Sequence, residues 1–126
     1  MDNQQKEYYQ SMLHKDRLLP FSTKNNQDNG DRLVCIITFY IGINNKDKYI
    51  RDNMWSVIED EPDGTICWVD HLITDKNPEN PRLSYVVWHE FKKYIKTKHP
   101  QVKEIRWNRY NFITTKSKEV KYDLYS

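Results

Sequence analysis

Thr65-Ile66-Cys67-Trp68-Val69-Asp70-His71-Leu72-Ile73, followed by Thr74–Asn80, Pro81–Lys98 and Val102–Asn108, is the stretch that decides the fold. Ile66–Ile73 is largely apolar and reads as a strand, and Thr74–Asn80 reads as an irregular loop. In the next stretch Val87, Trp88, Phe91, Tyr94 and Ile95 recur at helical spacing. They define one buried face, with His89, Glu90, Lys92, Lys93 and Lys96 turned to water. Asn80 suits the cap of that helix and Pro81 its first position. Cations crowd its last turn, where the helix dipole favours them, and Pro100 stops it. Ile105 and Trp107 then alternate with Glu104, Arg106 and Asn108, so a second strand follows, with Trp107 inward and Arg106 and Asn108 outward. Strand, helix and strand at this spacing predict a βαβ crossover with the two strands parallel and adjacent.

The turn entering such a helix often holds a phosphate on free backbone N–H groups. Here it reads Asp75-Lys76-Asn77-Pro78-Glu79-Asn80-Pro81, with two prolines, two acids and no glycine. The unit has the shape of a cofactor site and lacks its chemistry.

Working outward toward the N-terminus, Pro62-Asp63-Gly64 is a tight-turn signal: proline presets φ and glycine permits a left-handed residue. With Met54–Ile58 read as a strand, this turn predicts an antiparallel hairpin between Trp55 and Ile66. Leu33–Ile43 is the strongest strand. It has no polar face, so it should be central and covered on both sides. Residues 1–32 read as a polar arm, in which Gln4–Arg17 can form a helix with Tyr8, Met12 and Leu13 on one side. Leu18–Phe21 ends that helix, and Ser22–Asp31 reads as an exposed loop. Residues 33–126 then form one α+β domain. Toward the C-terminus, residues 111–118 suggest a turn, and Val120, Tyr122 and Leu124 alternate in a last, antiparallel edge strand.

The chain has 126 residues, 37% of them hydrophobic, enough for one modest core. Only three glycines occur, which argues against a glycine-rich ligand loop. The net charge of +2 conceals an asymmetry. Residues 92–121 carry ten Lys and Arg against two Glu, or +8, which leaves −6 for the remainder. A basic end can meet nucleic acid or an acidic partner, and it can equally be a solvated face. Cys35 and Cys67 lie in apolar strand runs and read as buried thiols of a reducing compartment. No run approaches the ~20 apolar residues of a membrane span, and no secretory signal is seen, so no membrane partner is expected.

The order of strands, hairpin, strand, crossover helix, parallel strand and edge strand resembles the GNAT (GCN5-related N-acetyltransferase) superfamily over about residues 33–125. The resemblance implies a GNAT-like mixed central sheet, with the helix at 81–98 crossing between two parallel strands. It also implies an acetyl-CoA site at the start of that helix, where the family carries an Arg/Gln-x-x-Gly-x-Gly/Ala turn. The comparable segment here is Asn80-Pro81-Arg82-Leu83-Ser84-Tyr85. Arg82 can stand for the arginine, both glycines are absent, and Leu83 and Tyr85 limit close backbone approach to a pyrophosphate. If the chain is an enzyme, Arg82, Leu83, Ser84 and Tyr85 would hold acetyl-CoA. Glu59 would be the general base, with Asp70 second in line, and Tyr110 the acid. The chain also resembles small glycine-poor GNAT-like proteins of tailed bacteriophages, some of which sit among virion genes.

Other groupings are thinner. Asp70, His71 and His89 suggest a metal grouping, but Asp70 and His71, adjacent in a strand, should point to opposite faces, and no third ligand follows at zinc spacing, so no metal is expected. Glu59, Asp60, Glu61 and Asp63 form an acidic turn of the kind usually solvated. Arg106-Trp107-Asn108-Arg109-Tyr110 mixes cations with aromatics, a pattern suited to bases and phosphates. The leading expectation is a non-catalytic GNAT-like binding or structural protein, cytoplasmic or virion-associated, without a cofactor and acting through protein contacts or self-assembly. A divergent acetyl-CoA-dependent N-acyltransferase is the first alternative. A nucleic-acid binder is the second, with contact residues Arg106, Asn108, Arg109, Lys116 and Lys118.

Overall fold

The computed structural model describes residues 2–25, 30–74, 83–111 and 116–125. Its elements are α1 (Asn3–His14), β1 (Leu18–Asn25), β2 (Gly30–Gly42), α2 (Lys46–Tyr49), β3 (Ile66–Thr74), α3 (Leu83–Lys98), β4 (Glu104–Asn111) and β5 (Lys116–Asp123). The class is α+β, with a five-stranded mixed sheet in the order β1-β2-β3-β4-β5. β3 and β4 are parallel, joined across α3, and every other neighbouring pair is antiparallel. The predicted crossover, the buried second strand and the antiparallel edge strand are therefore present. No described helix is long and apolar enough to cross a membrane.

The sheet is covered on both faces. On one, α3 lays Val87, Phe91 and Ile95 over Ile37, Phe39, Ile41, Cys67 and Ile105. Phe91 meets Phe39 edge to face at 5.7 Å. Burying such side chains stabilises by about 1.5–3 kcal/mol each. On the other face, α1 and the β2–β3 connection bring Tyr8, Met12, Tyr49, Trp55 and Ile58 onto Tyr40, Ile66 and Trp68. Tyr49 stacks on Trp68 with ring centroids 5.1 Å apart.

Both ends of α1 are specified locally. The Asp2 carboxylate accepts from the Gln5 N–H at 2.8 Å, satisfying a free donor of the first turn. At the far end Asp16 takes a left-handed φ of 59°. Its N–H donates to Leu13 O, and the Arg17 N–H donates to Met12 O. That is a Schellman closure with aspartate in the glycine-favoured place.

Three expectations are corrected. Leu18–Phe21 and most of the polar stretch after it are strand rather than helix terminator and loop: β1 runs to Asn25 and β2 begins at Gly30. Residues 2–25 and 30–32 thus supply α1, β1 and the start of β2, with Tyr8 and Met12 in the second core. Next, Met54–Ile58 is not a strand. At Ile66–Trp68, where the expected hairpin would begin to pair, β3 has β2 on one side and β4 on the other, so no ladder is left there for it. The segment crosses the sheet face instead, where the Ile58 N–H donates to Tyr40 Oη at 3.2 Å. Finally, the turn at 61–64 forms, with the Gly64 N–H donating to Glu61 O at 2.8 Å, but no glycine has positive φ. Gly64 is needed for closeness: a Cβ there would stand 2.2 Å from Gly42 O.

Beyond the end of β1's pairing, the free side of β2 is taken by side chains and turn backbone. The Ile41 N–H donates to Asp60 Oδ1 at 2.9 Å, and the Glu61 N–H donates to Ile41 O at 2.9 Å. Arg17 pairs with Asp60 at 3.1 Å, tying the exit of α1 to the same turn.

Candidate functional site

Two places could carry chemistry. The first is the open end between the parallel strands. β3 and β4 pair only from Ile66/Glu104 to Trp68/Arg106. β3 then continues to Thr74 and β4 to Asn111 without pairing to each other. In open sheets, ligands favour the carboxyl ends of parallel strands where neighbours diverge. Leu72 and Ile73 near the end of β3, and Tyr85 and Val86 in the first turn of α3, are exposed. A shallow groove of about 250 Å³ lies nearby, lined by Leu33, Val34, Cys35, Ile36, Ile73 and Thr74.

The second place is a polar cluster under α1. β2 and β3 pair Thr38 with His71 and Phe39 with Val69, which leaves Asp70 as the extra residue of a bulge. The expected opposition of Asp70 and His71 is therefore corrected: the bulge turns both toward α1. Asp70 accepts from Tyr8 Oη at 2.5 Å and from both terminal nitrogens of Arg51, at 2.9 and 3.1 Å. The Arg51 Nε donates to Ser56 Oγ at 2.8 Å.

The protons can be assigned by elimination. Tyr8 spends its single proton on Asp70, so the Thr38 hydroxyl donates to Tyr8 Oη at 2.7 Å, while Thr38 Oγ1 accepts from the His71 N–H at 3.0 Å. The His71 ring stacks on Trp55 at 4.6 Å, and its Nε2 lies 2.6 Å from Met54 O. A carbonyl only accepts, so Nε2 carries the ring proton. Burial and then the Asp70 charge push the Tyr8 phenol far above its ordinary range. Tyr40 is pushed up to about 12, first by burial. For Arg51, burial lowers the pKa, and the hydrogen bonds and charge of Asp70 more than offset that, so it stays charged. The cluster is saturated: each donor has an acceptor, and the carboxylate is held by three donors. Chemically it is a latch between α1, the 51–58 segment and the sheet.

The residues singled out in the sequence fall apart in space. Glu59 is exposed in the β2–β3 connection. Its neighbours Asp60 and Glu61 bond Ile41, level with the start of β3. Leu83, Ser84 and Tyr85 form the first turn of α3, and position 110 pairs with Ser117, both at the opposite end of the strands. At ~3.3 Å per residue, the Glu59 and Tyr110 positions are separated by roughly 15 Å along the strand direction. Arg82 and the cap residues Asn80 and Pro81 lie outside the described residues, as do residues 112–115 of the expected turn.

Arg106 is corrected. It does face away from Trp107, but it is buried rather than outward. Its guanidinium donates to Glu104 at 2.8 and 3.3 Å and to Asn44 at 2.6 Å, pairs with Glu119 at 3.6 Å, and lies over Trp68 at 5.5 Å. Asn108 and Lys118 are exposed, and Arg109 and Lys116 are a paired register position and a strand end of β4 and β5. Cys35 and Cys67 are free and buried, with burial pushing Cys35 up to about 11. Among the described residues no group of three or more His, Cys, Asp and Glu is placed to hold a metal.

Sequence reasoning missed Arg51, Thr38 and the bulge. An adjacent acid and histidine in a strand was the one signal available; nothing in the local pattern around Arg51 announces its partner. No protein-family model matches the chain, and no curated protein sequence matches it.

Proposed function

We propose that this is a non-catalytic binding protein with a GNAT-like arrangement, acting by protein contact at the open end of the sheet. The element order supports the arrangement: antiparallel strands, a strand parting from its parallel neighbour, a crossover helix and an antiparallel edge strand. The observation that carries the non-catalytic reading is the saturation of Asp70. The carboxylate best buried for acid–base work is locked by Arg51 and Tyr8 and has no call on a substrate proton. The glycine-free entry to α3 points the same way, because a pyrophosphate needs close backbone approach.

The contact surface is apolar. Leu33, Leu72, Ile73 and Val86 are each 44–56% exposed at one end of the sheet. Large apolar side chains left exposed toward one end of a sheet offer a surface for protein contact. The partner tested first is a second copy of this chain, in keeping with a virion-associated component. Sedimentation velocity over a concentration series checks it: association that weakens in Leu72→Asp is expected, and a strict monomer at every concentration contradicts it.

One observation favours a second reading, a divergent N-acyltransferase. The parting of β3 and β4 opens a slot at the N-terminus of α3, where Arg82 and the N–H groups of Leu83 to Tyr85 would take a pyrophosphate. Glu59 and Tyr110, set at opposite ends of the strands, would then need to be replaced as the acid–base pair by groups nearer the slot.

A further inference from the structure

Charge is sorted across the C-terminal half of the sheet. On the face turned away from α3, Glu104 accepts hydrogen bonds from Arg106 and Glu119 forms an ion pair with it at 3.6 Å, and Asp123 is the register partner of Glu104. The single acid of α3, Glu90, sits in a groove with Lys93, Tyr94, Thr97 and Lys98. That is the flank of the helix facing β2, because Tyr94 meets Phe39 at 6.5 Å. The flank facing β5 is different. At 3.6 residues per turn, Tyr85, Trp88, Lys92 and Lys96 share one stripe. Trp88 meets Trp107 and Tyr122, each at 5.4 Å.

Cations are interleaved with these rings. Lys92 Nζ lies 5.1 Å from the Tyr122 ring and 5.7 Å from that of Trp88, and donates to Tyr122 Oη at 3.3 Å. Lys96 and Lys103 both lie over Tyr125, at 5.2 and 5.7 Å. Tyr125 is 55% exposed and Tyr85 73% exposed. Exposed Lys118 stands on β5 in the alternation of Val120 and Tyr122. Asp123 borders the seam at its Tyr125 end, where its Oδ1 accepts from the Tyr125 N–H at 2.9 Å.

We propose that the seam between α3 and β5 binds single-stranded nucleic acid, with phosphates on Lys92, Lys96, Lys103 and Lys118 and bases stacked on the exposed tyrosines. Charge complementarity selects a polyanion, since a seam in which lysines outnumber acids repels cationic partners and attracts phosphate. The half-exposed rings select single strands over a duplex, whose bases are already stacked. The surface uses neither Arg106, which is neutralised on the far face, nor the apolar side chains Leu33, Leu72, Ile73 and Val86, so its test variants leave the contact surface proposed above untouched.

The test is fluorescence anisotropy with a labelled oligothymidylate, titrated with the full chain at several salt concentrations. The expected result is binding whose log–log salt slope is about −3, as four neutralised phosphates give at about 0.7 each. Lys96→Glu with Lys118→Glu should weaken it at least tenfold. Lys93→Glu with Lys98→Glu, the same change of charge on the opposite flank, should leave it within about twofold. Tyr125→Ala should weaken it by about fivefold or more, the loss of one stacked base. Circular dichroism melts confirm that each variant is folded. Absent or salt-independent binding overturns the proposal. So does equal loss in both charge-reversed pairs, equal affinity for a duplex of the same length, or equal affinity for a polyglutamate peptide.

Discussion

The two faces of the sheet are held by different physics. Under α3 the contact is aliphatic and aromatic, a helix stripe against alternating strand residues. Under α1 it is an aromatic layer closed around an ion pair, in which Asp70 joins Arg51, Tyr8 and, through Thr38, the backbone of His71. The first face tolerates any side chains of the right size and period. The second is specified by partners, because a buried charge is stable only with its counterpart in place. The difference explains how an irregular connection, residues 51–58, is kept on the sheet without any ladder.

The sharpest break of this comparison is to remove one member from each face. Asp70→Ala strands the Arg51 charge and the Tyr8 hydroxyl and should cost about 3–5 kcal/mol in urea unfolding. Phe91→Ala should cost a similar ~3–5 kcal/mol by opening a cavity. The two losses differ in how they are repaired. The paired replacement Arg51→Met with Asp70→Leu should recover most of the loss on the polar face. A cost below that of an exposed pair for Asp70→Ala would mean the ion pair does not hold the connection.

Smaller effects sharpen the picture. Gly64→Ala drives a Cβ toward the Gly42 carbonyl, which is backbone and cannot turn aside, and should cost about 1–3 kcal/mol by overpacking. Tyr9→Phe should be neutral or stabilising, by up to about 1 kcal/mol, since the buried Tyr9 hydroxyl has no partner among the described residues. The smallest effect is a pH dependence on the α3 side. Burial, then the charge of Arg17, lowers the pKa of His99. The unfolded chain therefore takes up this proton first as the pH falls below about 6.5, so stability declines with falling pH through that window. Melting curves from neutral to mildly acidic pH should show the decline, and His99→Asn should flatten it.

The same contrast governs what could be read from the sequence. The α3 face was legible because its residues recur with a period: Val87, Phe91 and Ile95 mark the helix stripe, and Leu33–Ile43 marks a strand covered on both sides. The crossover followed from spacing alone. The polar face was not legible, because Arg51 and Asp70 are brought together by a bulge that shifts alternation by one residue, and no local pattern encodes a bulge. Met54–Ile58 has strand composition, and its exclusion from the expected hairpin follows from β4 having taken the edge of β3 at Ile66–Trp68, a fact of topology rather than of propensity. Arg106 obeyed alternation and still misled, since its face was closed by Asn44, Glu104 and Glu119 from three segments. For the candidate site, the missing glycines at the entry to α3 were visible, while the saturation of Asp70 was not.

The central claim is that the chain works by contact rather than by acyl transfer. Calorimetric titration with acetyl-CoA, with a thermal shift alongside, tests it most directly. The account predicts no heat of binding and no shift in melting temperature even at millimolar ligand. A micromolar dissociation constant that is lost in Arg82→Ala would contradict it and make the slot between β3 and β4 an acyl-donor site.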